Sequence, residues 1–591
     1  MLLQILKIYK EELLPHIPKL PLPDLADTLK ALLDWAEPVT DPQELAAFKA
    51  QTESFEKSQG QVLQERLKAH QAQTAGSWLA DFWQEMYLES RGCLQSESNF
   101  ALVIQPSYYD QISSKAEKAA RLIYCLSAIY FELVQGHYPL EKNRDDRQVD
   151  MSFYLNFFKS CRIPGSHIDR FYRGEMTAEN SSVLVIHQGN YYQVKVTDEV
   201  GQPYSLEQLV KTLQTILQQK DQATLAEKRL AHFTGLPREA SATLYQQLRA
   251  TKTNQAALRS IEDALFAVNF SAGPDDTVEE RIFDLLLNPH DQFITKTLQA
   301  TITQQGWIGI NIEHTAVDGV PAMNLLTRVF KRFQQEPLQT GRLSKVDLAE
   351  RLEWQLTKDD EAALAACETV VAAENNSYTI QHKVVNCLGK KQIKQSKTSP
   401  DAFFHIALTM AQFRTFHCLK SVYEPVAMRG FYQGRTECAR AVSKEKKQFI
   451  EFLTEYECAA ATKEQVLEAF QLAAKAHGER IRQCQQGLGV ERHLFGLQKM
   501  LEPTECPDAF FSTDCLKAVT SNFISTTGIP YELLESFSFG PVDKDGYGLY
   551  YGLLEEKIML TLSSKKEQAE KGRELLEQTE MALKELYELL T

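Results

Sequence analysis

The 591-residue sequence lacks the cysteine spacing of a metal-binding or disulfide-linked protein. Its eleven cysteines include no CxxC pair and no paired Cys/His spacing, so neither a zinc site nor a disulfide framework is predicted. An odd number of thiols also fits a reducing compartment better than secretion. We therefore expect free thiols and no bound metal.

The chain also lacks a basic surplus and long apolar runs. Its formal net charge of −14 argues against nucleic-acid binding, which depends on basic surface. The apolar N-terminus is interrupted by Lys10, Glu11 and Glu12, which disfavours a signal peptide or a membrane span. The first arginine is Arg66, which disfavours a mitochondrial presequence, and the last residues form no peroxisomal signal. We expect a cytoplasmic monomer, with membrane contact by an N-terminal helix as the less favoured alternative.

No P-loop, GxSxG elbow or internal repeat is present, and the length exceeds what one core usually supports. Apolar periodicity predicts strands interleaved with long helices, which indicates an α/β architecture with mixed sheets. The predicted division is a helical segment over 1–90, a domain over 91–355 and a domain over 356–591. Predicted helices cover 26–87, 106–135, 206–264, 357–374 and the chain from about 563; predicted strands cover 265–270, 307–312 and a hairpin at 182–196 with a Gly-Asn turn.

The strongest chemical clue is the segment HTAVDG at 314–319, which follows an apolar run typical of a strand. A histidine at a strand end can present a ring nitrogen to a cleft and act as a general base. The Asp-Gly pair that follows is predicted to end the element. His314 could equally be a structural residue, since one histidine in such a place is weak evidence by itself.

Four later windows carry further candidate binding groups. Residues 375–400 contain five lysines and no acid, which suits either a phosphate site or a solvated loop. Arg492 stands beside an apolar helix-like run and needs an anionic partner, or else packs only its stem. The remaining windows, 423–436 and 525–548, offer hydroxyl, guanidinium and aromatic groups among glycines, although hydroxyl runs in strands are often only cross-strand pairs.

The order of these windows resembles the choline/carnitine acyltransferase family along nearly the whole chain. The matching motifs are HTAVDG (314–319), SPDAF (399–403), GRTE (434–437), ERHLFGL (491–497), ISTTGIP (524–530) and FGPVDKDGYG (539–548), with CRIPG (161–165) and KTLQ (296–299) upstream. The resemblance implies two domains of chloramphenicol-acetyltransferase-like topology, each a mixed sheet flanked by helices, with an active-site tunnel between them.

The resemblance also implies roles for individual residues. His314 is expected to be the general base, Asp318 to help fix its geometry and Thr527 to stabilise the oxyanion. Lys390 and Lys394 are expected to hold the 3′-phosphate of coenzyme A, and Asp401 to lie near its adenine. The implied co-substrates are carnitine and acyl-CoA, with no metal.

The acceptor and the acyl group can be predicted more finely. An arginine suits the carboxylate of carnitine, which choline lacks, so Tyr423, Thr436 and Arg492 are predicted to bind that carboxylate. Phe539 is expected near the trimethylammonium group, and Ser525 is a further expected substrate-binding residue. Phe537 stands where, in the family, a bulky residue closes the acyl pocket, so a short acyl group such as acetyl is predicted.

Three positions depart from the family pattern. Thr527 replaces a serine, and Pro425 and Ala427 replace serines after the Tyr-Glu pair, which removes two polar contacts. The alternatives are therefore a choline acetyltransferase, a carnitine acyltransferase for longer chains, or a member of the family that binds acyl-CoA or carnitine without catalysis.

Overall fold

Two mixed β-sheets covered by helices form the body of the protein. The structure is a computed structural model that describes residues 17–289, 291–337 and 346–591; the first sixteen residues of the predicted N-terminal segment lie outside this range. Within these ranges no helix is both long enough and apolar enough to cross a bilayer.

The strands, in chain order, are β1 (Phe100–Ile104), β2 (Ser160–Ile163), β3 (Arg170–Arg173), β4 (Ser182–His187), β5 (Asn190–Lys195), β6 (Ala267–Phe270), β7 (Leu298–Ile302), β8 (Ile308–Ile312), β9 (Ala349–Arg351), β10 (Tyr378–Val385), β11 (Val422–Ala427), β12 (Thr436–Arg440), β13 (Ile524–Gly528), β14 (Leu534–Phe539), β15 (Tyr547–Leu553) and β16 (Ile558–Lys565).

The α-helices are α1 (Leu25–Ala36), α2 (Pro42–Lys57), α3 (Gln59–Gln73), α4 (Ala80–Glu89), α5 (Leu94–Glu97), α6 (Lys115–Val134), α7 (Leu206–Gln218), α8 (Leu225–Lys228), α9 (Arg238–Leu248), α10 (Lys252–Asp263), α11 (Val278–Leu287), α12 (Gly319–Gln335), α13 (Lys358–Asn375), α14 (Lys390–Ile393), α15 (Pro400–Phe416), α16 (Lys444–Glu457), α17 (Lys463–Gln485), α18 (Glu491–Lys499), α19 (Asp514–Thr520) and α20 (Ala569–Leu590).

The larger sheet has the strand order β14-β1-β8-β7-β6-β4-β5-β9, and the smaller sheet has the order β10-β16-β15-β13-β11-β12. Both contain parallel and antiparallel pairs, for example β4 with β6 and β4 with β5 in the larger sheet. The long apolar strands are buried because helices cover both faces. The predicted α/β class with two helix-flanked mixed sheets is confirmed.

Strand β14 crosses between the two halves of the chain. Its residues fall in the predicted 356–591 domain, yet it pairs antiparallel with β1 at the edge of the larger sheet. We call β14 an exchanged strand, because it follows residue 355 in the chain but belongs to the larger sheet. The predicted boundary at residue 355 assigns β14 to the other half of the chain.

The N-terminal helices α1 to α4 pack on the second half of the chain. Leu25, Phe55 and Trp83 belong to one apolar cluster with Met428 and Leu494. The rings of Phe55 and Phe510 stack with centroids 4.4 Å apart. Burial of such aromatic surface anchors the helices, which brings α4 to the site described below.

Helix α3 lies within the predicted helical stretch 26–87 and, although it is mostly solvated, buries Leu63 and Leu67. Two sequence-based details were wrong. The β4–β5 turn is formed by Gln188 and Gly189, not by a Gly-Asn pair, because these two residues take the positive φ angles of 52° and 75° that a tight hairpin needs. The last helix begins at Ala569, because β16 continues to Lys565.

Candidate active site

His314 lies in the short loop between strand β8 and helix α12. All five residues of β8 are buried, so the strand is a rigid platform that ends directly before the loop. The Asp-Gly pair does not simply end the strand, as predicted; Asp318 is the residue before α12, which begins at Gly319. Because Pro321 falls in the first turn, where its missing N–H costs nothing, the helix can start there.

The loop is held by one arginine from the other half of the chain. Arg435 donates from Nε to Asp318 Oδ2 at 2.7 Å and from its other nitrogens to the backbone carbonyls of Thr315 (3.0 Å) and His314 (3.3 Å). Arg435 is 3% exposed. Asp318 is therefore linked to His314 through Arg435 and the loop backbone; its role in fixing the geometry of His314 stays a prediction.

The imidazole of His314 is packed between aromatic rings. Tyr87 from α4 stacks on it with centroids 5.3 Å apart, and Phe100 from β1 meets it edge-on at 5.0 Å. Burial lowers the pKa of His314 below its ordinary value, while the nearby Asp318 carboxylate opposes the shift. The ring is thus neutral near pH 7, which is the form that can accept a proton.

A cavity of about 650 Å³ opens beside His314 between the two sheets. It is lined by residues from α4, β1, the β8–α12 loop, β11, β13, β14 and α18. Of the predicted site residues, those lining the cavity are His314, Asp318, Tyr423, Thr436, Arg492, Ser525, Thr527, Phe537 and Phe539. Residues remote in sequence thus meet in one chamber.

Arg492 lies at one wall of the cavity with part of its guanidinium already engaged. It donates from Nε to the Thr436 carbonyl at 2.8 Å and from Nη2 to the Tyr423 hydroxyl at 3.0 Å. The ring of Trp83 covers the guanidinium at 3.8 Å. Nη1 donates no hydrogen bond within the described ranges, and its ion-pair neighbour, Glu491, is 3.9 Å away. Donors therefore remain for an anionic ligand.

The acid behind Arg492 does not neutralise it fully. The carboxylate of Glu437 accepts a hydrogen bond from the Arg492 backbone N–H at 3.2 Å. Burial raises the pKa of Glu437 to about 7, against the opposing effect of Arg492. Because the pKa of Glu437 is raised, this carboxyl group neutralises Arg492 less than an ordinary glutamate would near neutral pH.

The hydroxyl run on β13 divides between the two faces of the strand. Ser525, Thr526 and Thr527 all border the cavity, and because side chains alternate along a strand, Ser525 and Thr527 share one face while Thr526 points to the other. Thr526 instead donates its hydroxyl to the Tyr423 carbonyl at 2.7 Å and ties β13 to β11. The threonine at 527 thus stands in the chamber of His314.

The exchanged strand β14 brings two phenylalanines to the cavity. Phe537 stacks on Phe100 with centroids 5.3 Å apart and also contacts the ring of Tyr550 at 5.4 Å. Phe539 lies two residues further on the same face, at 6.3 Å from Phe537. The apolar end of the cavity is therefore narrowed by rings.

The predicted coenzyme A residues lie outside the cavity lining. Lys390 begins α14 and is partly buried, Lys394 is exposed, and the ion pairs found among the described residues involve neither. Burial lowers the pKa of Lys390, and Lys394 lowers it further. Asp401 is already engaged, since its carboxylate accepts from Tyr551 at 2.8 Å and lies 3.0 Å from His477 Nε2.

Three residues of the site were missed by sequence reasoning. Trp83 and Tyr87 lie on α4, where their spacing of four looks like a core stripe, and Arg435 was noted only as one of several guanidinium groups. The GRTE motif was the available signal for Arg435. For the aromatic pair there was none, because their contacts with Arg492 and His314 depend on tertiary packing.

Comparison with known proteins identifies the family to which this arrangement belongs. The family described as Choline/Carnitine o-acyltransferase matches residues 20–580. The chain belongs to the choline/carnitine acyltransferase family. The protein is thus an acyltransferase of a family that uses acyl-CoA, as the sequence motifs predicted.

The similar proteins include enzymes named for different acyl groups. Human carnitine O-acetyltransferase is 26% identical, with 93% of this chain and 89% of the relative covered. The putative mitochondrial carnitine O-acetyltransferase of Saccharomyces cerevisiae is 26% identical over 97% of this chain and 94% of the relative. Carnitine O-palmitoyltransferase 2 of Bos taurus is 25% identical, covering 97% and 92%. Among solved structures, the TRI3 trichothecene 15-O-acetyltransferase of Fusarium sporotrichioides is 10% identical, with a TM-score of 0.38 and coverage of 85% and 93%.

Proposed function

We propose that this member of the family transfers a short acyl group reversibly between coenzyme A and the hydroxyl of carnitine. The observation that carries the proposal is the position of Arg492 in the same cavity as His314, with donors available beside Tyr423 and Thr436. A buried guanidinium favours an acceptor that bears a carboxylate and disfavours choline, which has only a cation. The indole N–H of Trp83, which has no partner among the described residues, adds a donor at this wall.

His314 acts as the general base in a direct transfer. Its neutral ring takes the proton of the carnitine hydroxyl, and the resulting oxygen attacks the thioester carbonyl. The tetrahedral intermediate collapses with loss of the coenzyme A thiolate, which receives the proton from His314. No acyl-enzyme is needed, because both substrates reach one cavity.

Thr527 stabilises the oxyanion of the tetrahedral intermediate. Its position on the cavity face of β13 suits a hydroxyl donor, and such donors are most effective where water is excluded. Phe539 and Ser525 line the same chamber, where an aromatic face can hold the trimethylammonium group. Asp318 and Arg435 keep the His314 loop in place.

Acetyl is the preferred acyl group in this proposal. Phe537 is 3% exposed and fixed between Phe100 and Tyr550, so it leaves little space for a long chain. The palmitoyltransferase relatives make a longer chain the competing candidate. Lys390 and Lys394 hold the 3′-phosphate from outside the cavity, and Asp401 lies near the adenine.

A thiol-release assay tests the proposal. The purified protein is given acetyl-CoA with carnitine, with choline or with no acceptor, and the carnitine reaction is repeated with palmitoyl-CoA. Carnitine-dependent thiol release that is faster with acetyl-CoA supports the proposal. A faster reaction with choline than with carnitine would indicate a choline acetyltransferase, and a faster reaction with palmitoyl-CoA than with acetyl-CoA would indicate a longer-chain carnitine acyltransferase. If neither acyl-CoA gives thiol release that depends on an acceptor, a noncatalytic binding protein is favoured.

A further inference from the structure

The carboxylate of Glu313 closes a hydrogen-bonded ring around the backbone of His314. Its Oε1 accepts the Thr315 backbone N–H at 3.2 Å and the Thr315 hydroxyl at 2.5 Å. The residues before and after the histidine are thereby tied to each other, which restricts the backbone dihedral angles of His314. Glu313 and Thr315 are fully buried and neither lines the cavity, so this ring holds the histidine without touching a substrate.

Arg162 of strand β2 supports this hydrogen-bonded ring. Its Nη1 donates to the Thr315 hydroxyl oxygen at 3.3 Å and lies 3.7 Å from Glu313 Oε1. Its Nε donates to Asp169 Oδ2 at 2.7 Å, and the same oxygen accepts a hydrogen bond from Arg238 Nε at 2.6 Å. Because a fully buried guanidinium loses much when it leaves its carboxylate partners, Arg162 is a fixed support for the Thr315 hydroxyl.

The same arginine also contacts the end of helix α4, which carries Tyr87. Arg162 Nη2 donates to the backbone carbonyl of Ser90 at 3.2 Å, and Ser90 directly follows the last residue of α4. Tyr87 stacks on the imidazole of His314. One buried arginine therefore holds both the backbone support of the histidine and the helix that carries its stacking partner.

The imidazole of His314 depends on these supports for its position. Its Nδ1 has no hydrogen-bond partner in another residue of the described ranges. Arg435 contacts the backbone carbonyls of His314 and Thr315 and does not bond to the imidazole. The direction of the Cα–Cβ bond of His314, and with it the place of the ring nitrogens in the cavity, is therefore set by the backbone that Thr315 and Arg435 hold.

We propose that Thr315 is a positioning residue for acyl transfer, because its hydroxyl joins Arg162 to Glu313 and so fixes the direction in which His314 presents its imidazole. This inference rests on the proposed role of His314 as the general base. A misplacement of about 1 Å at the reacting groups can cost ~10²-fold in rate. Since the hydroxyl touches no substrate, its loss should lower kcat and leave the KM values for carnitine and acetyl-CoA nearly unchanged.

Kinetics of Thr315→Val and Thr315→Ser test this inference. Valine has the shape of threonine without the hydroxyl, so kcat should fall by about 10- to 100-fold, with both KM values within about 2-fold of the wild type. Serine keeps the hydroxyl and should restore kcat to within about 3-fold of the wild type. Thr579→Val is the matched control and should keep the wild-type kcat, because Thr579 is also fully buried and donates its hydroxyl to the Leu575 carbonyl, outside the cavity lining.

Nuclear magnetic resonance of the histidine side chains gives a readout that does not depend on turnover. In the full-length protein labelled at its histidines, the Cε1–H signal of His314 is assigned by its absence from His314→Gln. It should carry a ring-current shift from the rings of Tyr87 and Phe100. Thr315→Val should move the signal towards the position of an unstacked histidine, whereas Thr315→Ser and Thr579→Val should leave it in place.

Three results would overturn the proposal: an unchanged His314 signal in Thr315→Val, a kcat of that variant within about 2-fold of an active wild type, or an equal fall of kcat in Thr579→Val. A wild type without carnitine-dependent turnover would instead refute the proposed function, and the His314 signal would then decide alone whether Thr315 positions the imidazole. If Thr315→Val does not fold, Thr315→Ala, which places no γ-methyl group against Arg162, takes its place with the same expectations.

Discussion

The reaction cavity and the lysine-bearing surface at α14 hold positive charge in opposite ways. In the cavity, Arg435 and Arg492 are 3% and 4% exposed and are fixed by hydrogen bonds to Asp318, Tyr423 and backbone carbonyls. On the surface, Lys390 and Lys394 have no ion-pair partner within the described ranges, and Lys394 is exposed. Buried, oriented charge discriminates between ligands, whereas exposed charge attracts them weakly and is screened by salt. We therefore expect changes in the cavity to be large and selective, and changes on the surface to be small and dependent on salt.

The largest effect is expected for His314→Ala. Loss of a general base typically lowers turnover by ~10²- to 10⁴-fold, and the described cavity lining holds no second histidine. Steady-state kinetics with acetyl-CoA and carnitine measure kcat. His382→Ala is the control, because His382 is partly buried on β10 and does not line the cavity. Near-normal turnover of His314→Ala would refute the general-base assignment.

Arg492→Asn should affect the acceptor far more than the donor. Loss of a hydrogen bond between charged groups costs about 1.5–3 kcal/mol, so KM for carnitine should rise by ~10- to 100-fold, while KM for acetyl-CoA should change little. Arg66→Gln removes a partly exposed arginine paired with Glu505 and serves as the control. An equal rise of both KM values would contradict recognition of the carnitine carboxylate by Arg492.

Local features of the fold and site could be predicted from the sequence. The strand before His314 and the paired strands at 182–196 were correct because their apolar patterns are local, although the residues of the hairpin turn were misplaced by one. The pairing of β14 with β1, and the stacking of Tyr87 on His314, could not be predicted, because each joins segments more than two hundred residues apart in sequence. Periodicity shows that an aromatic residue is buried, but not what it is buried against.

The same distinction applies to charged residues. The sequence showed that Arg492 needs an anionic partner, and the residues predicted to accompany it, Tyr423 and Thr436, do contact it. It did not show that Asp318 would be bound by Arg435, because an ion pair between residues 117 positions apart leaves no local pattern. The predicted roles of the substrate-binding residues, the monomeric state and the cytoplasmic location stay predictions.

Phe537→Gly should change the choice of acyl group inside the cavity. Removal of the ring opens space between Phe100 and Tyr550, so the ratio of palmitoyl to acetyl turnover should rise by about 10-fold or more. A lost core ring also costs stability, roughly 3–5 kcal/mol, so the ratio within each variant is the proper measurement. Phe537→Met, which keeps the bulk, is the control and should retain the acetyl preference. An unchanged ratio in Phe537→Gly would show that another residue limits chain length.

The smallest effect is expected on the lysine-bearing surface. The double variant Lys390→Gln/Lys394→Gln removes two exposed or half-exposed charges, each worth about 0.2–1 kcal/mol, so KM for acetyl-CoA should rise by roughly 2- to 30-fold. The effect should shrink as salt is added, because the screening length falls below 10 Å above ~0.1 M. Lys391→Gln is the matched control on the same helix, since Lys391 already pairs with Glu556 at 3.0 Å. A large rise in KM for acetyl-CoA that added salt does not reduce would mean that coenzyme A encloses these lysines as fully as the cavity encloses Arg492. The contrast between buried charge in the cavity and exposed charge at α14 would then hold only for the protein without coenzyme A.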